Sequence, residues 1–281
     1  MAMETMLSSA SREVVVGGER PTVLIGERIN PSGKKWLKEA LMKDDLDVVR
    51  REAVAQAEAG ADVLDVNVGV FGIDEKAMLP RVVETVMGAV DLPLCIDTTD
   101  SAALQAALEA YDGKPLVNSV TGEEASLSSV LPLVKEYGAA VVGLVQDDEG
   151  IPKDAVRRFQ IAEKILRRAE DAGIPRQDVI IDCLVFSVGS DTSSGSQVLE
   201  AIRRVRGELG LNVTLGLSNI SFGLPDRDLI NGAFAAMAVL AGAGCLIVDV
   251  EKVRPCVLAA DLVAGKDSHA RRYLADYRRR K

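Results

Sequence analysis

Short apolar runs alternate with segments of helical periodicity along almost the whole chain. Continuous apolar runs predict strands that are buried on both faces, as in a parallel sheet. Eight such runs occur, at residues 22–26, 61–68, 92–98, 115–120, 139–145, 179–184, 213–217 and 245–250. Segments with helical spacing follow them, at residues 44–59, 75–90, 101–111, 123–137, 155–172, 197–209, 229–241 and 257–281. The pattern therefore predicts eight βα units.

Eight βα units with no long linker predict one α/β domain, a (β/α)8 TIM barrel over residues 21–281. A length of 281 residues would also allow two small domains. A Rossmann or flavodoxin-like sheet needs fewer strands and a glycine-rich phosphate loop, and no G-x-G-x-x-G opens a helix here. Residues 1–20 have no continuous apolar segment, so we expect a frayed N-terminal extension and no signal peptide.

Composition narrows the class of protein. Hydrophobic residues make up 48% of the chain, enough for a full core. The net charge of −9 argues against a general nucleic-acid-binding protein. No apolar run reaches transmembrane length, and we expect a cytoplasmic protein.

Cysteine and histidine usage limits the candidate chemistry. Cys95, Cys183, Cys245 and Cys256 form no C-x-x-C pair, which favours buried reduced thiols over a zinc site. The single histidine, His269, leaves little material for a His–Ser or His–Cys nucleophilic system. Acid–base chemistry is therefore expected to use carboxylates, lysines, amides or the bound substrate.

Polar residues end four of the predicted strands. Asp97, Asn118 and Asp182 end the third, fourth and sixth strands, and Ser218 and Asn219 end the seventh. The carboxyl ends of the strands of a parallel barrel meet at one mouth, where such barrels keep their chemistry. Each residue alone is better explained as a turn or cap residue after a strand. Four together indicate a site.

The first two strands add further candidates. Glu27 and Asn30 follow the first strand, where a loop salt bridge and an Asn-Pro turn are equally good explanations. Asp65 and Asn67 alternate with apolar residues on the second strand and therefore share one face. Buried polar groups need partners. A purely internal hydrogen-bond network remains an open alternative for this pair.

Motifs at the strand ends, in chain order, resemble those of the methyltetrahydrofolate:corrinoid protein methyltransferases. They are Gly26-Glu27-Arg28-Ile29-Asn30, Leu64-Asp65-Val66-Asn67-Val68-Gly69, Ile96-Asp97-Thr98-Thr99, Asn118-Ser119, Gly150-Ile151-Pro152-Lys153-Asp154, Ile181-Asp182 and Gly216-Leu217-Ser218-Asn219. The resemblance extends from about residue 22 to residue 260. Those enzymes are pterin-binding barrels related to dihydropteroate synthase and to the folate module of cobalamin-dependent methionine synthase.

The resemblance implies a one-carbon transferase that moves a methyl group between N5 of tetrahydrofolate and the cobalt of a corrinoid. The corrinoid (cobalamin) would be carried by a separate, transiently bound corrinoid protein, with no metal in this chain, and a homodimer is expected. By resemblance, Asn219 is the catalytic contact to N5 and Asp182 accepts the N–H pair of the pterin edge. The substrate-binding residues implied are Glu27, Asp65, Asn67, Asp97, Asn118, Asp182, Ser218, Asn219 and Arg227.

Three positions depart from the family pattern, and a fourth matches it but has a second explanation. Asp100, Cys183 and Phe222 stand where the family usually has Asn, Pro and a polar residue, and Asp100 and Phe222 are expected to flank the mouth. Arg227 matches a family position near the pterin, but a surface ion pair with Asp226 or Asp228 explains it equally well.

Three rival functions share parts of this pattern. Dihydropteroate synthase carries a Lys near the seventh strand and an Arg-x-His at the eighth, whereas this chain has Ser218-Asn219 and Asp249-Val250-Glu251-Lys252. A non-catalytic barrel that binds a pterin or a corrinoid protein is disfavoured by Asn219. The third rival is a chain that itself carries the corrinoid, because Asp267-Ser268-His269 resembles the D-x-H of corrinoid-binding domains. The Gly three residues after His is missing, however, and the twelve residues that follow are too few for a domain. The direction of methyl transfer and the identity of the partner are not encoded in these motifs.

Overall fold

The computed structural model describes residues 3–17 and 19–281. Its strands are β1 Glu4–Ser8, β2 Glu13–Gly17, β3 Val23–Ile29, β4 Val63–Val66, β5 Leu94–Asp97, β6 Leu116–Thr121, β7 Ala140–Leu144, β8 Val179–Asp182, β9 Asn212–Thr214 and β10 Cys245–Val248. Its α-helices are α1 Lys35–Met42, α2 Leu46–Ala59, α3 Glu75–Met87, α4 Ser101–Ala110, α5 Glu124–Glu136, α6 Ala155–Asp171, α7 Ser194–Arg204, α8 Arg227–Ala241, α9 Val250–Val263 and α10 Arg271–Arg279.

Strands β3 to β10 form one parallel sheet in the order β10-β3-β4-β5-β6-β7-β8-β9. Hydrogen bonds close it between the β9 and β10 regions, from Gly244 N to Val213 O (3.0 Å) and from Ile247 N to Leu215 O (2.9 Å). The predicted (β/α)8 barrel is confirmed. Because all eight strands run the same way, their carboxyl ends form a single mouth.

The core has two layers. The larger layer lies between the strands and the surrounding helices, where residues such as Leu64, Leu79 and Ile165 are fully buried. The smaller one fills the barrel interior with short side chains, including Ile25, Val63, Cys95, Ala140 and Cys245. Continuous apolar strands are explained by this arrangement, since each strand packs on both faces.

A β-hairpin of β1 and β2 closes the amino end of the barrel. Leu7 and Val16 are fully buried and belong to the interior layer. Asn212 donates hydrogen bonds to the main chain of Val16 and to Thr5 Oγ1, both at 3.0 Å. The expectation of a frayed extension over residues 1–20 was therefore wrong for residues 4–17. Met1, Ala2 and Gly18, which fall in the same range, lie outside the described residues.

Several helix boundaries differ from the predictions. Helix α1, which begins shortly after the Asn-Pro turn, was not predicted, and α9 begins at Val250, the last residue of the predicted eighth strand. The predicted helix over 257–281 is two helices, α9 and α10, separated by a break that includes Gly265 with φ +78°. Gly60 is the C-cap of α2, and its φ of +96° is the left-handed conformation that glycine tolerates. Three of the four cysteines, Cys95, Cys183 and Cys245, are buried as predicted, whereas Cys256 is exposed.

Of the helices in the described residues, none is long and apolar enough to cross a membrane. Within residues 3–17 and 19–281, no group of three or more His, Cys, Asp or Glu side chains is arranged to hold a metal ion.

Candidate active site

Carboxylates and amides from β3 to β6 meet on one side of the mouth. Asn118, the third residue of β6, donates from Nδ2 to Asp65 Oδ1 on β4, at 3.2 Å. Asn30, just after β3, donates to Asp97 Oδ2 at the end of β5, also at 3.2 Å. Asn67 Oδ1 accepts the Gly69 N–H at 2.8 Å and so orders the loop after β4. The predicted residues of these strands therefore form one cluster.

The two carboxylates of this cluster hold protons more readily than free aspartate. Burial raises the pKa of Asp65 well above its ordinary value, and the nearby charge of Asp97 raises it further. Burial also raises the pKa of Asp97 to about 6; the amide of Asn67 opposes this shift and Glu75 adds to it. The cluster can therefore offer both hydrogen-bond donors and acceptors to a flat heterocycle.

Asp182 ends β8 on the other side of the mouth and is held in one orientation. Its Oδ1 accepts the Leu184 N–H at 2.7 Å and its Oδ2 accepts the Gly216 N–H at 3.3 Å. Burial raises its pKa to about 6, against the effect of these two hydrogen bonds and of the Arg158 charge. Each oxygen has a second lone pair for a ligand. A buried, oriented carboxylate of this kind can accept two parallel N–H groups.

The residues after β9 form a short 3-10 helix, Leu217–Ser221, instead of continuing the predicted strand to residue 217. Ser218 Oγ donates to Glu27 Oε1 at 2.7 Å. Asn219, next along the helix, is exposed, and its side-chain amide bonds to no other residue of the described chain. That amide lies beside Gly216, where an added Cβ would be 3.2 Å from Nδ2. The amide is thus free to meet a ligand.

Arg227 packs against the same 3-10 helix. Its Nη2 donates to Ser218 O at 2.7 Å and its Nε donates to Ser221 Oγ at 3.0 Å. Among the described residues, Arg227 forms no ion pair with Asp226 or Asp228, and Asp228 pairs with Lys252 at 3.3 Å. The guanidinium carbon also lies 5.9 Å from the ring centroid of the exposed Phe222. Arg227 therefore braces the turn that carries Asn219.

Asp100 behaves differently from the other strand-end residues. Its Oδ1 accepts the N–H groups of Ala102 (2.8 Å) and Ala103 (3.1 Å), so it caps α4. Ser101 is the first residue of that helix. The carboxylate of Asp100 is thus occupied by the helix end and does not face the mouth as a free group.

Sequence reasoning missed two residues that shape the site. Glu75, in the first turn of α3, accepts a hydrogen bond from Thr98 Oγ1 at 2.9 Å beside Asp97. Arg158 is buried within α6 and donates to the main-chain oxygens of Cys183 and Leu184, each at 3.0 Å. Glu75 had a weak signal, as an acidic residue opening a helix after a strand-end loop. Arg158 had none, because its partners are main-chain atoms distant in sequence.

Comparison with known proteins agrees with this geometry. The family described as "Pterin binding enzyme" matches residues 26–249. Methylcorrinoid:tetrahydrofolate methyltransferase of Eubacterium limosum is 30% identical over 92% of this chain and 97% of its own length. Methionine synthase of Mycobacterium tuberculosis is 32% identical over 91% of this chain, which spans 22% of that longer protein.

Solved structures with the same fold are more distant in sequence. Dihydropteroate synthase of Xanthomonas albilineans superposes with a TM-score of 0.73 at 23% identity, covering 93% of this chain and 98% of that one. The Yersinia pestis enzyme gives a TM-score of 0.72 at 18% identity, covering 93% and 99%. At these identities the likeness establishes the barrel alone. The family match over most of the chain, together with the relatives above, shows that this protein belongs to the pterin-binding enzymes.

Proposed function

We propose that this protein transfers a methyl group between N5 of tetrahydrofolate and the cobalt of a corrinoid carried by a separate protein. The observation that carries the proposal is that one mouth holds both the buried carboxylate of Asp182 and the amide of Asn219, which has no hydrogen-bond partner among the described residues. The named activity of the Eubacterium limosum relative, which matches over nearly its full length, supports the same reaction.

The pterin ring would lie between the two sides of the mouth. Asp182 would accept the N–H pair of the pyrimidine edge, and Asp97, Asn118, Asp65 and Asn67 would contact the rest of the ring. Charge-assisted hydrogen bonds to a planar donor pair add both orientation and affinity. The raised pKa of Asp97, about 6, is below neutral pH, so its carboxylate would serve as an acceptor. Burial shifts the pKa of Asp65 upward, toward the form that can also donate.

Asn219 would act at the reacting atom. The N5 amine is a poor leaving group until it is protonated. A group that stabilises N5–H⁺ therefore lowers the free energy of the transition state. The carbonyl oxygen of the Asn219 amide would accept that N–H, and Ser218 and Arg227 hold the turn in place. Stabilisation of developing charge by one oriented group contributes roughly 10²–10³ in rate.

The corrinoid protein would dock over the mouth. The corrinoid, when bound there, supplies the cobalt that gives or takes the methyl group. Three large apolar side chains stand exposed on the loops that surround the mouth: Phe71 after β4, Ile151 after β7 and Phe222 after β9. Exposed apolar groups around a polar cavity are typical of surfaces that meet another molecule. We call these three residues the rim.

A second copy of this chain would pack on the side of the barrel, away from the mouth. Helices α8 and α9 border an open groove of about 630 Å³ whose floor is made of small residues, Gly232, Ala233, Ala236, Ala259 and Ala260. Exposed Leu229, Met237, Leu240 and Val263 stand along it. In a two-fold dimer the large residues of one copy would fill the groove of the other, so one patch provides both complementary shapes.

A single-turnover assay tests the proposed reaction. Methyltetrahydrofolate and excess enzyme are mixed with free cob(I)alamin, and methylation is followed by absorbance. We expect methyl transfer at a rate that saturates with folate. Absence of transfer from methyltetrahydrofolate, combined with condensation of a pterin pyrophosphate with p-aminobenzoate, would favour the dihydropteroate synthase reaction instead.

A further inference from the structure

Beneath the turn that carries Asn219 lies a carboxyl group with one hydrogen bond. Glu27 sits near the end of β3, and its Oε1 accepts the Ser218 hydroxyl at 2.7 Å. Among the described residues it has no other side-chain hydrogen-bond partner. Ser218 is the residue immediately before Asn219, so the Glu27 carboxyl is connected to the free amide through one hydroxyl group.

Charged neighbours do not pair directly with this carboxyl. Lys34 donates to the main-chain oxygens of Glu27 (3.3 Å) and Asn30 (3.1 Å), and Arg227 donates to Ser218 O and Ser221 Oγ. Asp249, at the end of β10, pairs with Arg28 at 3.7 Å and faces Glu27 with a like charge.

These surroundings favour the protonated form of Glu27. Burial raises its pKa, and the Asp249 charge adds to this effect, while Ser218, Lys34 and Arg227 act against it. Asp65, the other carboxylate on this side of the barrel, is itself shifted toward its protonated form by burial. The pKa of Glu27 is therefore raised from its ordinary value, and its carboxyl, unlike an amide, can give and accept a proton.

We propose that Glu27, acting through the Ser218 hydroxyl, supplies the proton that N5 of the folate binds as the methyl group leaves. The inference rests on the proposed methyl transfer and assigns Glu27 a role other than direct contact with the pterin. The amide of Asn219 can stabilise N5–H⁺ but has no acidic proton to give at neutral pH, so a separate source is needed.

The step balances in both directions. As the N5–CH3 bond breaks, its electron pair stays on N5 and binds one proton, while the methyl group bonds to cobalt through the metal's electron pair. For this step the Ser218 hydroxyl turns from Glu27 toward a water molecule at N5, passes its proton to N5 through that water and takes the Glu27 proton. Glu27 is left as a carboxylate and is reprotonated from solvent. In the opposite direction, the carboxylate accepts the proton that N5 releases.

The test is the pH dependence of single-turnover methyl transfer to free cob(I)alamin, measured from pH 5.5 to 8.5 at saturating methyltetrahydrofolate. Glu27→Gln keeps the shape and the acceptor for Ser218 but cannot give a proton. We expect a rate lower by about 10²-fold or more and a flattened pH profile. Folate affinity should stay within about threefold of wild type, since the lost interaction acts only as the methyl moves.

Two further variants separate this role from a structural one. Ser218→Ala should show the same flattened profile, and the double variant should be scarcely slower than either single one, because both residues lie on one path. Asp249→Asn is the matched control, a neighbouring carboxyl with no hydrogen bond to Ser218. It should keep a pH-dependent rate, with the profile moved to lower pH and not flattened, because the like charge that raises the Glu27 pKa is lost.

An unchanged pH profile in Glu27→Gln, or a defect confined to folate affinity, would overturn the proposal. If Glu27→Gln does not fold, an unchanged pH profile in Ser218→Ala would overturn it equally. If the wild-type protein binds folate but does not transfer the methyl group, the proposed function itself is refuted. That outcome is distinguished from failure of the Glu27 proposal because it depends on the wild-type measurement alone.

Discussion

Asp182 shows at the scale of one residue how a binding group opposes stability. Burial raises its pKa to about 6 in the folded protein, above the ordinary value of 3.8. Between these two values the folded protein holds the proton more tightly than the unfolded chain does. The group therefore reduces stability progressively as pH rises through that window, and its full cost is present above pH 6.

We predict opposite effects of Asp182→Asn on binding and on stability. Folate affinity should fall about tenfold or more, through loss of charge-assisted hydrogen bonds worth roughly 1.5–3 kcal/mol. The free energy of unfolding of the variant relative to wild type should rise by about 1–1.5 kcal/mol from pH 5 to pH 7.5. Calorimetry and urea titrations at the two pH values measure these effects.

Asp100→Asn serves as the control for Asp182→Asn, because Asp100 caps a helix and Asn is an equally good cap. It should change neither folate affinity nor the pH dependence of stability. If the stability difference between wild type and Asp182→Asn were independent of pH, Asp182 would have to be an ordinary, solvated turn residue.

Local sequence patterns predict some of the elements that position the site, but not the contacts between residues distant in sequence. Apolar runs and helical spacing predicted all eight barrel strands, and the strand ends predicted where Asp97, Asn118 and Asp182 would meet. The hydrogen bonds that complete the site depend on contacts distant in sequence, such as Asn30 to Asp97 and Ser218 to Glu27. Such pairs have no local pattern.

The turn after β9 and the N-terminal hairpin illustrate the same division. Residues 213–217 are apolar and predicted a longer strand, but the chain turns at Leu217 into a 3-10 helix that is packed against α8 and braced by Arg227. The hairpin strands have five residues each and start in a polar, Ser-containing segment. The hairpin is stabilised by packing against the barrel interior. A pattern of five residues does not reveal that contact.

The hairpin gives a test at the element scale. Leu7→Ala removes a fully buried side chain from the amino end of the barrel and should lower the free energy of unfolding by about 2–5 kcal/mol. Met6→Ala, on the opposite and exposed face of the same strand, should change it by no more than about 0.5 kcal/mol. Urea unfolding compares the two. Equal, small effects would mean that the hairpin does not pack on the barrel in solution.

At the scale of the whole molecule, exposed apolar side chains fall mainly on two separate surfaces, the rim around the mouth and the α8–α9 groove. This separation would let a corrinoid protein reach the mouth while a second copy of the chain stays bound. A dimer through α8 and α9 is therefore compatible with methyl exchange between proteins.

We predict that Leu240→Glu prevents the proposed dimer from forming, because a charge would replace an exposed apolar residue of the proposed interface. Sedimentation velocity measures the change. Leu274→Glu, at an exposed leucine on α10 outside the groove, should leave the dimer intact. A wild-type protein that is monomeric at micromolar concentration, or a dimer that survives Leu240→Glu, would contradict this assignment.

The proposed catalysis depends on Asn219 acting as the methyl group moves. If its amide stabilises N5–H⁺ only in the transition state, removal should lower the rate at saturation and change folate binding little. Asn219→Asp keeps the shape and places a negative acceptor beside N5–H⁺, so it should retain much more activity than Asn219→Ala.

Stopped-flow measurement of methyl transfer from saturating methyltetrahydrofolate to free cob(I)alamin tests this most directly, since no docking step intervenes. We predict that Asn219→Ala lowers the saturated rate by about 10²-fold or more relative to wild type. Equal saturated rates for Asn219→Ala and wild type would contradict the proposed catalytic role and leave Asn219 a surface residue of the turn after β9.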